Sequence, residues 1–155
     1  MQVVNVASPV RDKLQSSLDL LRSLPNGKVI LFVNHRESAS RVYDFLRQNR
    51  LPVGLYHGGL EQIDREKAID LLNNGTTPIL VSTDLASRGL DIDQVQAVVH
   101  YHMPPSAESW THRNGRTARM GADGTVYVIT AEGENIPDYI DFDRDYVPTG
   151  EKNEK

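Results

Sequence analysis

The 155-residue chain has no cysteine, one tryptophan and an aromatic content of only 6%. Without cysteine, neither a disulfide framework nor a thiolate metal site is possible. Long apolar runs are also missing: the longest, VILFV at 29–33, has five residues, far short of the roughly 20 needed to cross a bilayer. The opening MQVVNVASPV lacks the basic-then-apolar order of a secretory signal, so a cytoplasmic setting is expected. Nor is there an excess of positive charge, with 17 Lys and Arg against 21 Asp and Glu, a net charge of −4. That acidity is local. Residues 132–145 (EGENIPDYIDFDRD) hold six acids and one arginine, and without them 16 basic residues face 15 acidic ones, a net of +1. The overall charge therefore does not argue against an anionic partner for the remainder.

What is present describes one globular domain: 39% hydrophobic and 25% charged residues in a chain long enough to bury a core. Short β-branched runs alternate with amphipathic stretches. The runs VILFV (29–33), VGLY (53–56), PILVS (78–82), QAVVHY (96–101) and TVYVIT (125–130) read as strands buried on both faces. Between them, apolar spacings of three and four predict helices over 11–24, 37–50 and 61–73. Strand–helix–strand alternation predicts an α/β fold, a mostly parallel sheet with right-handed crossovers and helices on both faces. The domain is expected to end near 131. Pro137 and the acidic run make 132–155 a loosely packed or flexible tail.

In such folds ligands bind beyond the carboxyl ends of the strands. The loops to inspect are therefore NHRES (34–38), HGGLEQIDR (57–65), TDLASRGLDI (83–92) and HMPPSAESWTHRNGRTAR (102–119). HGGLEQIDR places two glycines before a helix start, where free N–H groups and the helix dipole can seat a phosphate; the plainer reading is a turn. In TDLASRGLDI, the Thr83 hydroxyl suits a phosphate oxygen and Asp91 suits a ribose hydroxyl, but the cap of a short helix is an equally physical role for Asp84 or Asp91. His100 and His102 share a face, though with no third ligand a metal site is not indicated. Trp110 reads as core more readily than as a base-stacking platform.

HRNGRTAR packs His112, Arg113, Arg116 and Arg119 into eight positions. On a continuous helix His112, Arg116 and Arg119 would form one stripe, with Arg113 about 100° away. Gly115 is a candidate stop, since glycine costs about 1 kcal/mol in a helix interior. Such a cluster is either a solvated basic patch or a site facing an anion.

Taken in order, these loops resemble motifs of the DEAD-box ATP-dependent RNA helicases. ILFVNHRE resembles motif IV, and HGGLEQIDR carries the HG…QxxR pattern of motif IVa. STDLASRGLDI closely matches motif V, and HRNGRTAR matches the HRxGRxxR of motif VI. The resemblance covers roughly 1–131 and points to the second, C-terminal RecA-like domain.

By that resemblance, Arg116 and Arg119 are arginine fingers for the ATP γ-phosphate. Asp91 and Gly89 belong to the nucleotide site, and ATP with Mg2+ is held mainly by a preceding RecA-like domain. Thr83, Gln62, Arg65, Asn34 and Gly58 hold RNA by its backbone without reading sequence, while His112, Arg113 and Arg88 face the other domain. No metal site or membrane contact is implied, and the resemblance leaves open which further protein partners there are. Four positions depart from the family: His35 replaces the usual threonine or serine, His102 an aspartate, Ala118 a glycine, and Trp110 a tyrosine.

A GxxxxGK[ST] loop is missing, since PNGKV lacks both its first glycine and its hydroxyl, and neither DEAD nor SAT occurs. The chain is thus expected to be part of a longer helicase. The alternatives are a RecQ-like DNA helicase, which has a different motif V and a GRAGR-type motif VI, and a stand-alone non-catalytic binding module. Lacking the phosphate-cradling loop, the purified 155-residue chain is expected to hydrolyse no ATP with or without RNA. RNA-stimulated phosphate release that disappears in Arg116→Ala would contradict this.

Overall fold

A computed structural model describes residues 1–84, 92, 94–117 and 124–148. Among them lie seven strands and four helices. In chain order they are β1 (Gln2–Ser8), α1 (Leu14–Ser23), β2 (Lys28–Val33), α2 (Arg36–Gln48), β3 (Val53–Tyr56) and α3 (Gln62–Asn73). Then come β4 (Ile79–Thr83), β5 (Val95–His100), α4 (Ala107–Asn114), β6 (Thr125–Ala131) and β7 (Arg144–Asp145). The strands form one sheet in the order β3-β4-β2-β5-β6-β1-β7, and every pairing is parallel. The five expected strands and three expected helices are all found, with ends shifted by up to three residues.

Parallel pairing leaves both faces to be covered, which is why the central strands are apolar throughout rather than alternating. Leu31, Val33, Val81 and Val99 point to the face covered by Leu18 and Leu21 of α1 and Val42 and Leu46 of α2. Ile30, Phe32, Leu80 and Val98 point the other way, against Ala68 and Leu72 of α3. Beside them, Val3, Val126 and Val128 pack under Trp110 of α4 and residues 136–142.

Two features depart from expectation. QVVNVAS forms β1 between β6 and β7. Its polar Asn5 breaks the apolar run but has partners: Oδ1 accepts from Thr130 Oγ1 at 2.7 Å, and Nδ2 donates to Asp145 at 2.9 Å. The second lies in the segment expected to be a loose tail, whose described part, 132–148, packs on the sheet. Asp143 binds Val3 twice: its N–H donates to the Val3 carbonyl, and its carboxylate accepts the Val3 N–H, both at 2.7 Å. Ile140 is buried, and β7 pairs with β1. Apart from Glu134, which is half-buried against Lys13, the acids of this run are exposed while its apolar residues pack inward, so mean composition was a poor guide. Ile140→Ala should therefore cost about 2–5 kcal/mol, against less than about 0.5 kcal/mol for exposed Val147→Ala. Urea unfolding midpoints check this; equal midpoints for the two variants would return 132–148 to a loose tail.

Candidate nucleic-acid and nucleotide interface

The carboxyl ends of β2, β3 and β4 open into a cleft of about 680 Å³, lined by Asn34, His35, Arg36, Glu37, Gly58, Thr83, Asp84, Pro105 and Ser109. Three expected residues, Asn34, Gly58 and Thr83, meet here although the sequence separates them widely. The cleft also receives the N-terminus of α2, whose N-cap residue, His35, makes no side-chain cap. Those first N–H groups carry the positive end of the helix dipole into the cleft.

Arg36 was not singled out from the sequence, yet it shapes this cleft. A Cβ on Gly58 would lie 3.3 Å from its Nη2, and one on Gly59 3.2 Å from its Nη1. The glycine pair thus lets an exposed guanidinium lie close over the backbone. Its one legible signal was its place directly after a strand. The turn reading of the glycines also holds, because Gly59 N–H donates to His57 Nδ1 at 3.0 Å and Leu60 N–H to the His57 carbonyl. Gln62 and Arg65 sit on the first turns of α3 outside the cleft lining, with Gln62 exposed and bonded to Glu66.

Beneath the cleft lies a polar hub. Arg113 is completely buried, and each of its five N–H donors has an acceptor. Nε donates to Asp84 Oδ1 at 2.5 Å, and Nη2 to Asp84 Oδ2 at 2.6 Å and Asn34 Oδ1 at 2.7 Å. Nη1 reaches the His102 carbonyl at 3.0 Å and His100 Nδ1 at 3.2 Å. The guanidinium also lies over the Phe32 ring at 5.3 Å.

Two of the expected site residues are held inside the domain. Arg113 is a buried strut. Asn34 is likewise a strut: Oδ1 accepts from Arg113, Nδ2 donates to the Met103 carbonyl at 3.0 Å, and its backbone N–H donates to His102 Nδ1 at 3.0 Å. Asp84 gives both carboxylate oxygens to Arg113.

The hub also fixes its histidines. An arginine can only donate, so His100 Nδ1 is an acceptor and its Nε2 carries the proton to Asn114 Oδ1 at 2.8 Å. Burial, then the neighbouring Arg113 charge, lowers the His100 pKa to about 3. His102 Nδ1 accepts a backbone N–H, and burial, then the charge of Lys13, lowers its pKa to about 4. His102 thus supplies an acceptor without a negative charge, and the buried Lys13 pairs with Glu134 at 2.8 Å.

α4 ends at Asn114, with Gly115 as its C-cap, so His112 and Arg116 do not continue one helical stripe. The chain turns instead, and Thr117 Oγ1 donates to the Val95 carbonyl at 2.9 Å. Since Val95 is the first residue of β5, the arginine segment starts near the cleft but runs back along the strand. Arg116 is only 5% exposed, its Nη2 lying 3.5 Å from Nε2 of the half-buried His112. These groups fit an anionic oxygen. Arg88, Gly89, Asp91 and Arg119 lie outside the described residues. Among the described residues no helix is long and apolar enough to cross a membrane.

Residues 12–121 match the helicase conserved C-terminal domain family. The chain is 37% identical over 138 residues to an ATP-dependent RNA helicase, DBP3, of Candida albicans, covering 86% of this chain and 24% of that protein. It is 36% identical over 133 residues to the RNA helicase DBP2 of Candida glabrata, again covering 24% of its length. It thus spans about a quarter of such relatives. Among solved structures, the E. coli DEAD-box protein SrmB bound to regulator of ribonuclease activity A superposes with a TM-score of 0.82 at 31% identity, covering 94% of this chain and 89% of that one. S. cerevisiae Dbp5 bound to RNA and ADP BeF3 gives 0.73 at 29% identity, covering 84% and 35%. These relatives do not favour the RecQ-like alternative.

The histidines generate a pH prediction. His100 and His102 start from 6.5 in the unfolded chain and fall to about 3 and about 4 on folding. Below about pH 6.5 the unfolded chain therefore binds protons that the folded chain refuses. Stability should be full above pH 7 and fall towards pH 4, with a slope approaching two protons, about 2.7 kcal/mol per pH unit. Urea midpoints at pH 7.5 and pH 5 measure it; equal midpoints would mean that these imidazoles are charged in the fold.

Proposed function

Because the chain belongs to the helicase conserved C-terminal domain family, in its DEAD-box branch, we propose that it supplies one half of an ATP-driven RNA helicase. Its partners in this reading are RNA, held by the backbone, and an N-terminal RecA-like domain carrying most of the contacts to ATP and Mg2+. The observation that carries the proposal is the cleft at the strand ends. There the α2 N-terminus, Gly58, Thr83 and Arg36 converge without any base-reading arrangement. A hydroxyl, uncapped N–H groups and a guanidinium suit phosphate and sugar oxygens, the contacts that position a nucleic acid without specifying its sequence. Arg65 and Gln62 extend the surface along α3.

On the nucleotide side, Arg116 and Arg119 act as fingers, with Asp91 and Gly89 at the nucleotide and His112 and Arg88 at the domain boundary. ATP supplies the transferable phosphoryl group, and a guanidinium placed on its oxygens stabilises the charge that develops there. Arg116 lies turned into its own domain, so it must swing outward when the domains close. A closed state favoured by both ligands then couples hydrolysis to RNA binding.

In the longer protein, Arg116→Ala with Arg119→Ala should lower kcat by about 10³-fold or more. Lysine should not rescue either position, since it lacks the planar fork. Arg36→Ala and Arg65→Ala should each weaken RNA binding in the ATP-bound state equally for two unrelated sequences, and binding should fall as salt rises. Steady-state ATPase and fluorescence anisotropy are the measurements. Unchanged kinetics would return the arginines to a solvated patch, strong preference for one sequence would reject the backbone reading, and RNA binding without any ATPase would favour a non-catalytic module.

A further inference from the structure

Residues 132–148 lie beyond the matched family domain, yet they touch the part of the molecule that positions the arginine segment. Three consecutive carbonyls in the loop after β5 each receive one donor. His102 O accepts from Arg113 Nη1 at 3.0 Å, Met103 O from Asn34 Nδ2 at 3.0 Å, and Pro104 O from Tyr139 Oη at 3.1 Å. Two of these anchors belong to the hub. The third comes from the C-terminal segment, 35 residues away.

The same segment braces α4. The Trp110 ring stands between His100, at 4.8 Å, and Tyr139, at 6.5 Å between centroids. His100 in turn contacts Arg113 and Asn114. Tyr139 therefore meets the hub by two routes, through the loop carbonyl and through the indole. Its own position is set by buried Ile140 and by Asp143, which grips Val3 of β1.

We infer that residues 132–148 form a strap whose Tyr139 is a positioning residue for the arginine-bearing segment, holding the 102–104 loop in the register that Arg113 and Asn34 require. Tyr139 lies outside the cleft lining. It acts through the loop and through Trp110. The link to catalysis rests on the helicase reading above; the link to the hub does not.

The test begins on the 155-residue chain, 15N-labelled, by following exchange of the Arg113 Nε–H, which is bonded to Asp84. Tyr139→Phe removes only the hydroxyl and keeps the ring in the core, so the fold is retained. Tyr43→Phe, which removes a hydroxyl bonded only within α2, to Arg47 at 3.0 Å, is the control. Loss of one hydrogen bond of about 1 kcal/mol corresponds to about fivefold faster exchange at Arg113, with the Leu31 and Val81 amides unchanged. In the longer protein the same variant should lower kcat several-fold and leave the KM for RNA as it was. Unchanged exchange at Arg113, or equal acceleration at Leu31 and Val81, would overturn the strap; the latter would indicate general loosening. If the unaltered longer protein shows no RNA-stimulated ATPase, the helicase reading fails while the exchange result still decides the strap.

Discussion

One guanidinium constrains this domain more than any other group. Arg113 is fully buried, and an ionised side chain so placed is tolerated only when its charge and every donor are matched. Asp84 supplies the charge and two acceptors; Asn34, His100 and the His102 carbonyl supply the rest. Lysine, with three donors and no fork, could not serve all of them. These acceptors stand at the ends of β2, β4 and β5, so satisfying one side chain fixes the relative placement of three strand ends. Thr83 and the α2 N-terminus inherit that placement, because each is within a residue or two of a hub member.

The hub also explains how distant chemistry can be joined. Cleft residues lie at the carboxyl ends of the strands, whereas Thr117 is tied to Val95, at the start of β5. α4 and the turn after it span the gap. Arg113, in the last turn of α4, reaches back to Asp84 beside Thr83, while Arg116 follows three residues later. A shift of α4 therefore disturbs the cleft and the Arg116 segment at once. Rigid side-chain contacts carry this connection, and the neutral His100 and Asn114 keep it free of uncompensated charge.

Much of the fold was legible because parallel strands covered on both faces give continuous apolar runs, and VILFV and PILVS are such runs. β1 escaped because Asn5 interrupts QVVNVAS, and its polarity makes sense only once Thr130 and Asp145 are its neighbours. The strap escaped for a related reason. Its acids dominate the composition, while its function in the fold rests on a few apolar residues, Ile136, Tyr139, Ile140 and Phe142. At the candidate site, the loops named from the sequence meet in one cleft, but the direction of each side chain was not legible. Asn34 and Arg113 turn inward, and Arg36 shapes the cleft. Loop identity follows from sequence order; side-chain direction depends on which acceptors the folded sheet brings within reach.

The departures from the family pattern become intelligible in the same terms. An aspartate at position 102 would accept the Asn34 N–H but would also place a second carboxylate beside the buried Lys13. With His102, the acceptor is kept and the charge is removed. Lys13 is then matched by Glu134, whose Oε1 also accepts the Ala131 N–H at 3.0 Å. The carboxylate that matches this buried cation comes from the segment after β6, which ties the start of the strap to the base of α1. Desolvation lowers the pKa of Lys13 while Glu134 opposes that shift, so the pair holds only where both groups stay close. Position 102 and the strap accordingly form one unit. Restoring the common aspartate would give Lys13 a second anionic neighbour and weaken its dependence on Glu134, loosening the strap at its first anchor while leaving the Arg113 acceptors in place.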